Sequence, residues 1–205
     1  MNDFDHYKNH YIHDLTEDRK YFSNLGKAER EQDCVHWFLQ MIDVEHNCVD
    51  LEAPDQASIV DVKWKNANFQ VKEIADPKVK RGEIKEILSA VENAESFGDL
   101  NRSLVGTGRD IPEVTSMCDL VYQRSVELSA HRRYTSAKTE VDLLFYITRT
   151  YSSLLKADDI NRINYAKLGW RSISVLNSKQ AAVISASNDA PDCLRDRVGR
   201  IYCPS

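Results

Sequence analysis

The chain has 205 residues, 27 Lys and Arg against 32 Asp and Glu, and a hydrophobic fraction of 42%. That length suits one domain with a sizeable core, at roughly 100–200 residues per domain, and 7 Gly with 5 Pro exclude a collagenous or low-complexity chain. No apolar run approaches the ~18–20 residues of a membrane helix, the acidic opening Met1-Asn2-Asp3-Phe4 is unlike a signal peptide, and five cysteines without secretion imply reduced thiols in a cytoplasm.

Apolar positions Phe4, Tyr7, Tyr11, Leu15 and Phe22 recur at helical spacing and predict an N-terminal helix, interrupted near Ser23-Asn24-Leu25-Gly26. A stronger helix follows with Ala28, Val35, Phe38, Leu39 and Ile42 on one face. Short β-prone runs come next, at Glu45–Leu51, Ile59–Lys65 and Phe69–Ala75. Residues 83–97 predict a helix, as does Ile111–Ala130, beginning at Pro112. Val141–Thr148 reads as a buried strand, and Ser172–Leu176 with Ala181–Ala186 as a hairpin. Strands grouped between helices predict an α/β (α+β) domain with a mixed sheet. We read residues 1–24 as a helical extension and 25–205 as a single domain.

The segment Ser58–Ile74 is the most informative. Asn tolerates the positive φ of hairpin turns, so a two-residue loop at Asn66-Ala67 is expected, setting Asp61 opposite Lys72. Alternation then places Val60, Val62, Trp64, Phe69 and Val71 on a core face, and Asp61, Lys63, Gln70 and Lys72 together on the other. An ordinary amphipathic hairpin has the same pattern. The preceding helix adds a second signal: Glu31 lies on the apolar stripe, where a carboxylate is costly to desolvate without a cation or donor. A position at the exposed, N-terminal end of the stripe accounts for it equally well.

A helix bearing Glu, then Asp, then Gln-x-Lys on the next strand resembles the PD-(D/E)xK nuclease superfamily, whose core runs helix, three-strand meander, helix, strand. The matching positions are Glu31, Asp61, Gln70 and Lys72. No proline precedes Asp61, and Gln70 replaces the usual acid, a variation that Mrr-type restriction enzymes share. Lys27–Glu31, Ser58–Ile74, Val141–Arg149 and Gly169–Ser174 resemble a small uncharacterised bacterial family described as endonucleases, over most of the chain from about residue 20.

The resemblance implies a restriction-endonuclease-like fold and metal-dependent phosphodiester hydrolysis in DNA. Such hydrolysis needs a divalent ion, Mg²⁺ or Mn²⁺, an activated water and a cation near the phosphate. Mg²⁺ binds through one or two carboxylates and keeps several waters. Asp61 is then the main ligand, Glu31 the second and Gln70 a neutral oxygen donor, while Lys72 serves the attacking water. Lys63, Lys80, Arg81, Arg132 and Arg133 are the expected phosphate contacts. With Gln70 in place of an acid, the alternative is an inactive nuclease-like scaffold that binds nucleic acid or protein. The sequence leaves the oligomeric state open.

The acidic total is no argument against DNA. Residues 1–56 hold 5 basic and 13 acidic residues and the remainder 22 and 19, so the net −5 divides into −8 and +3. Gly106-Thr107-Gly108 lacks a dinucleotide fingerprint, the cysteines lack zinc-like spacing, and His36 has no evident partner.

Overall fold

The computed structural model describes residues 3–55, 57–75, 82–104, 114–149 and 152–204. In chain order they form helices α1 (Asp3–Tyr21) and α2 (Lys27–Met41), strands β1 (Val62–Trp64) and β2 (Ala67–Ile74), and helices α3 (Glu83–Glu92) and α4 (Phe97–Leu104). Then come β3 (Thr115–Ser116), α5 (Met117–Ala130), β4 (Asp142–Ile147), β5 (Ser152–Ser153), α6 (Ala157–Arg162), β6 (Ser172–Leu176), β7 (Ala181–Ala186), α7 (Asp192–Arg195) and β8 (Ile201–Tyr202). The mixed α/β (α+β) class expected from the sequence is the one observed. No helix among the described residues is long and apolar enough to cross a membrane.

The chain divides into two compact units, one of Met1–Arg30 with Lys78–Ile111 and one of Glu31–Pro77 with Pro112–Ser205. In the first, Val91, Ala94 and Leu100 form a small core against Phe4, Tyr11, Ile12 and Leu15, and Lys8 Nζ donates to the Ala94 carbonyl at 2.8 Å. The helix expected over 83–97 stops at Glu92, because Asn93 caps it by donating from both its backbone and side chain to Ser89 O. A separate helix, α4, starts where Ser96 Oγ accepts the Asp99 N–H at 3.2 Å and donates to the Asp99 carboxylate at 2.7 Å, a reciprocal N-terminal cap.

The second unit is built on a six-stranded sheet of order β1-β2-β4-β6-β7-β8. The three central strands β2, β4 and β6 are parallel, and antiparallel neighbours close both sides. Apolar residues at alternate positions divide the core between the two faces. Val35, Phe38, Leu39 and Ile42 of α2 pack with Val62, Phe69, Val71 and Leu144 on one face. Met117, Val121 and Leu128 of α5 pack with Leu143, Phe145, Ile173 and Val175 on the other. Phe38 meets Phe69 edge to face at 6.1 Å, and each such fully buried side chain contributes roughly 1.5–3 kcal/mol relative to exposure.

The Glu45–Leu51 run is irregular with a 3₁₀ turn at Cys48–Asp50, since Leu51 alone of these residues is buried. A single bridge from Glu52 to Lys63 flanks β1. The helix expected from Ile111 is seen from Met117 on; residues 105–113, including Pro112, lie outside the described residues. The β4 strand and the β6–β7 hairpin fall where the sequence places them.

One carboxylate ties the starts of the three parallel strands together. Asp142 is fully buried and accepts from the Asn68 N–H of β2 at 2.9 Å, from Ser172 Oγ of β6 at 2.8 Å, and from both Arg171 Nε, at 3.0 Å, and Arg171 Nη2. Gly169, at φ 75°, turns the chain just before Trp170 and Arg171, a conformation that a side chain would strain.

Candidate functional site at the β1–β2 hairpin

The hairpin register differs from the expected one by a pair of residues. Val62 pairs with Phe69, Lys63 with Asn68 and Trp64 with Ala67, so the turn is Lys65-Asn66 and Lys65 takes the positive φ of 51°. Ala67 and Trp64 are both buried, and their burial draws Ala67 into the strand and the turn one residue earlier. Faces are unaffected by a shift of this parity, but partners are not. One step beyond Val62 and Phe69, Asp61 now comes opposite Gln70 instead of Lys72.

That pairing decides what the site holds. Gln70 Nε2 donates to Asp61 Oδ2, and the Val71 N–H donates to the same oxygen at 3.0 Å. The carboxylate thus takes the place of a ladder carbonyl just beyond the end of β1. Lys72 Nζ stands 3.8 Å from Asp61 Oδ2, with the Lys72 side chain 24% exposed and that of Asp61 7%. On the far side of the amide, Gln70 Oε1 accepts from Tyr134 Oη at 3.1 Å. Tyr134 packs edge-on against Trp170 at 5.4 Å. Charge complementarity fixes the amide orientation, because only the NH₂ end can donate to a carboxylate.

Asp61, Gln70 and Lys72 therefore meet as the sequence expects, with Gln70 in a different posture: its donor end faces Asp61 and its oxygen faces Tyr134. Glu31 is half-buried on α2, whose apolar residues pack the face opposite that of Gln70 and Lys72. Lys63 is exposed on β1, and Arg132 and Arg133 are exposed after α5. Arg133 Nη2 donates to Ser58 O at 2.6 Å, which places a guanidinium three residues before Asp61. Lys80 and Arg81 lie outside the described residues.

Sequence reasoning passed over Tyr134, Trp170 and Asp142. The readable signals were an aromatic directly after Arg132-Arg133, and an Asp at the head of an otherwise apolar run.

Among the described residues, no group of three His, Cys, Asp or Glu side chains is placed to hold a metal ion. The donor set nevertheless fits a hydrated Mg²⁺ or Mn²⁺, which needs only one or two carboxylates. It does not fit Gln70 as a ligand, since its oxygen is turned to Tyr134.

Fold and site define an α+β protein with a carboxylate–amide–lysine cluster beside the parallel core of a mixed sheet. The chain matches, over residues 4–204, the family described as "Putative endonuclease, protein of unknown function (DUF1780)", and belongs to it. A solved protein of unknown function from Pseudomonas aeruginosa strain PAO1, described as of the monooxygenase superfamily, is similar in fold. The likeness covers 100% of this chain and 97% of that one, at 20% identity and a TM-score of 0.61. A comparison with curated proteins finds no match.

Proposed function

We propose that the chain is a divalent-metal-dependent endonuclease of the PD-(D/E)xK type that cleaves DNA at the Asp61–Gln70–Lys72 cluster. The observation that supports this reading is the approach of Lys72 Nζ to Asp61 Oδ2 at 3.8 Å on one face of the hairpin, and the family's description agrees with it.

Asp61 would hold Mg²⁺ or Mn²⁺ with waters in the remaining positions, since Glu31 belongs to the helix packed on the other face of the sheet. The ion would supply neutralisation of the negative charge that develops on the phosphate. Gln70 and the Val71 N–H fix the carboxylate, and Tyr134 fixes Gln70. Lys72 places an ammonium beside the reacting centre, where it steadies charge on the phosphate and hydrogen-bonds the attacking water. Arg133, Arg132 and Lys63, with Lys80 and Arg81, neutralise neighbouring phosphates.

The test is cleavage of supercoiled and branched DNA in Mn²⁺ by the wild type and by Asp61→Ala. Loss of cleavage in the variant is expected; equal cleavage by both sinks the assignment.

The orientation of Gln70 favours a second reading, a nuclease-like scaffold that binds nucleic acid or a protein without cutting. An ion bound only by the folded state raises the melting temperature. Absence of a shift in millimolar Mg²⁺ or Mn²⁺, with DNA binding retained, selects this second reading.

A further inference from the structure

Beyond the carboxyl ends of β4 and β6 lies a cavity of about 340 Å³. It is lined by Tyr146, Thr148 and Arg149 at the end of β4, by Asn177 and Lys179 in the turn from β6 to β7, and by Leu154. Open sheets with parallel strands bind ligands in the crevice outside the carboxyl ends, and pockets for small ligands start at roughly 300 Å³.

The turn is held by its own hydrogen bonds. Asn177 Oδ1 accepts the N–H groups of Lys179 and Gln180 at 2.8 and 2.7 Å, and the Asn177 N–H donates to the Gln180 carbonyl at 2.9 Å. The buried Gln180 side chain accepts the Leu155 N–H at 2.7 Å, which fixes Leu154 alongside. Lys179 is thereby kept at the rim, exposed. Asn177 Nδ2 donates to the Met117 sulfur at 3.8 Å, a weak acceptor, so among the described residues this amide keeps a hydrogen for a ligand.

Charge and apolar surface are divided across the cavity. Arg149, half-buried, and Lys179 supply two cations, and among the described residues no Asp or Glu lines it. Glu73 is engaged by Thr148, whose Oγ1 donates to its carboxylate at 2.8 Å. Opposite in character, Leu154 is 49% exposed, and the half-buried Tyr146 packs on Trp37 with ring centroids 6.3 Å apart. A guanidinium fork beside a point-like ammonium suits phosphate oxygens, and an apolar wall with an aromatic ring suits a planar base. A bare phosphate would leave most of the volume empty, and a dinucleotide exceeds it.

We propose that this cavity binds a nucleoside monophosphate unit, its phosphate on Arg149 and Lys179, its base against Tyr146 and Leu154, and Asn177 Nδ2 as a further donor. The unit is either a free mononucleotide or the 5′-phosphorylated end of a DNA strand, and only the second source rests on the endonuclease reading.

The experiment is calorimetric titration of the full chain with deoxyadenosine 5′-monophosphate in EDTA. Deoxyadenosine and inorganic phosphate are each expected to bind at least about tenfold more weakly, and Lys179→Ala to weaken the mononucleotide about tenfold, while Lys179→Arg retains it. Asp61→Ala is expected to bind as the wild type does, so absence of binding counts against this cavity and leaves cleavage at Asp61 untouched. Displacement by a 5′-phosphorylated single strand, and not by the unphosphorylated strand, assigns the site to strand ends; displacement by neither assigns it to the free nucleotide. No binding of the mononucleotide, equal affinity for deoxyadenosine, or an affinity unchanged in Lys179→Ala overturns the proposal.

Discussion

Gln70 and Asp61 face each other across the β1–β2 register, and the amide of one donates to the carboxylate of the other. The pairing holds a nearly buried anion by two N–H donors and one ammonium. An acid at position 70 would have opposed Asp61; an amide orients it. The same substitution that departs from the superfamily motif is thus a local stabiliser of the remaining carboxylate.

Gln70→Glu is the direct probe of that balance. Two carboxylates in contact beside one lysine repel each other, so the variant melts below the wild type in EDTA, by about 1–3 kcal/mol of stability. Mn²⁺ restores it and produces a larger thermal shift than in the wild type. A variant insensitive to Mn²⁺ counts against a metal at this site.

Tyr134→Phe removes a single hydroxyl and leaves Gln70 Oε1 buried without its donor. Packing on Trp170 is retained, so the loss isolates the hydrogen bond. Urea denaturation should show a loss of about 1–2 kcal/mol, together with reduced cleavage because the amide no longer has a fixed backing.

Asp142→Asn tests the lacing of the parallel strands. It leaves Arg171, whose side chain is only 11% exposed, as an uncompensated charge. The expected cost is about 3–5 kcal/mol, measured as a lowered urea midpoint. A change below 1 kcal/mol, small by the same standard, refutes the role assigned to this carboxylate.

Alkaline pH should loosen the α5 face first. Burial, ahead of the nearby Asp159 charge, pushes the Cys118 thiol up to about 11 from 9.0. Burial likewise raises Tyr165, whose hydroxyl donates to Cys118 O at 2.7 Å. Above pH 9.0 the unfolded thiol loses its proton while the folded one keeps it, so stability is full below 9.0 and is lost as pH rises through about 11. Urea midpoints at rising alkaline pH should therefore fall, and fall less steeply in Cys118→Ala. Parallel slopes for the two proteins contradict the assignment.

Alternation in Ser58–Ile74 was enough to sort Asp61, Gln70 and Lys72 from Val62, Phe69 and Val71, because face depends only on parity. Which residue stood opposite Asp61 was not legible, since that depends on the burial of Ala67 against Trp64, a tertiary event. Tyr134 reaches Gln70 from 64 residues away, and no local pattern signals such a contact. The α4 helix is a different case: Ser96-Phe97-Gly98-Asp99 carries its capping signal in the sequence, obscured by the apolar period of the preceding helix.

The Glu52–Lys63 bridge, with its two backbone hydrogen bonds of 2.9 and 2.8 Å, has one more consequence. A bare edge strand is a template onto which another chain can add itself. Here Lys63, the middle residue of β1, already exchanges both of its main-chain hydrogen bonds with Glu52. A ligand that comes to Asp61 over this border finds no open backbone ladder to join. It must engage the site through side chains and charge, a form of selection against extended peptides built into the sheet's rim.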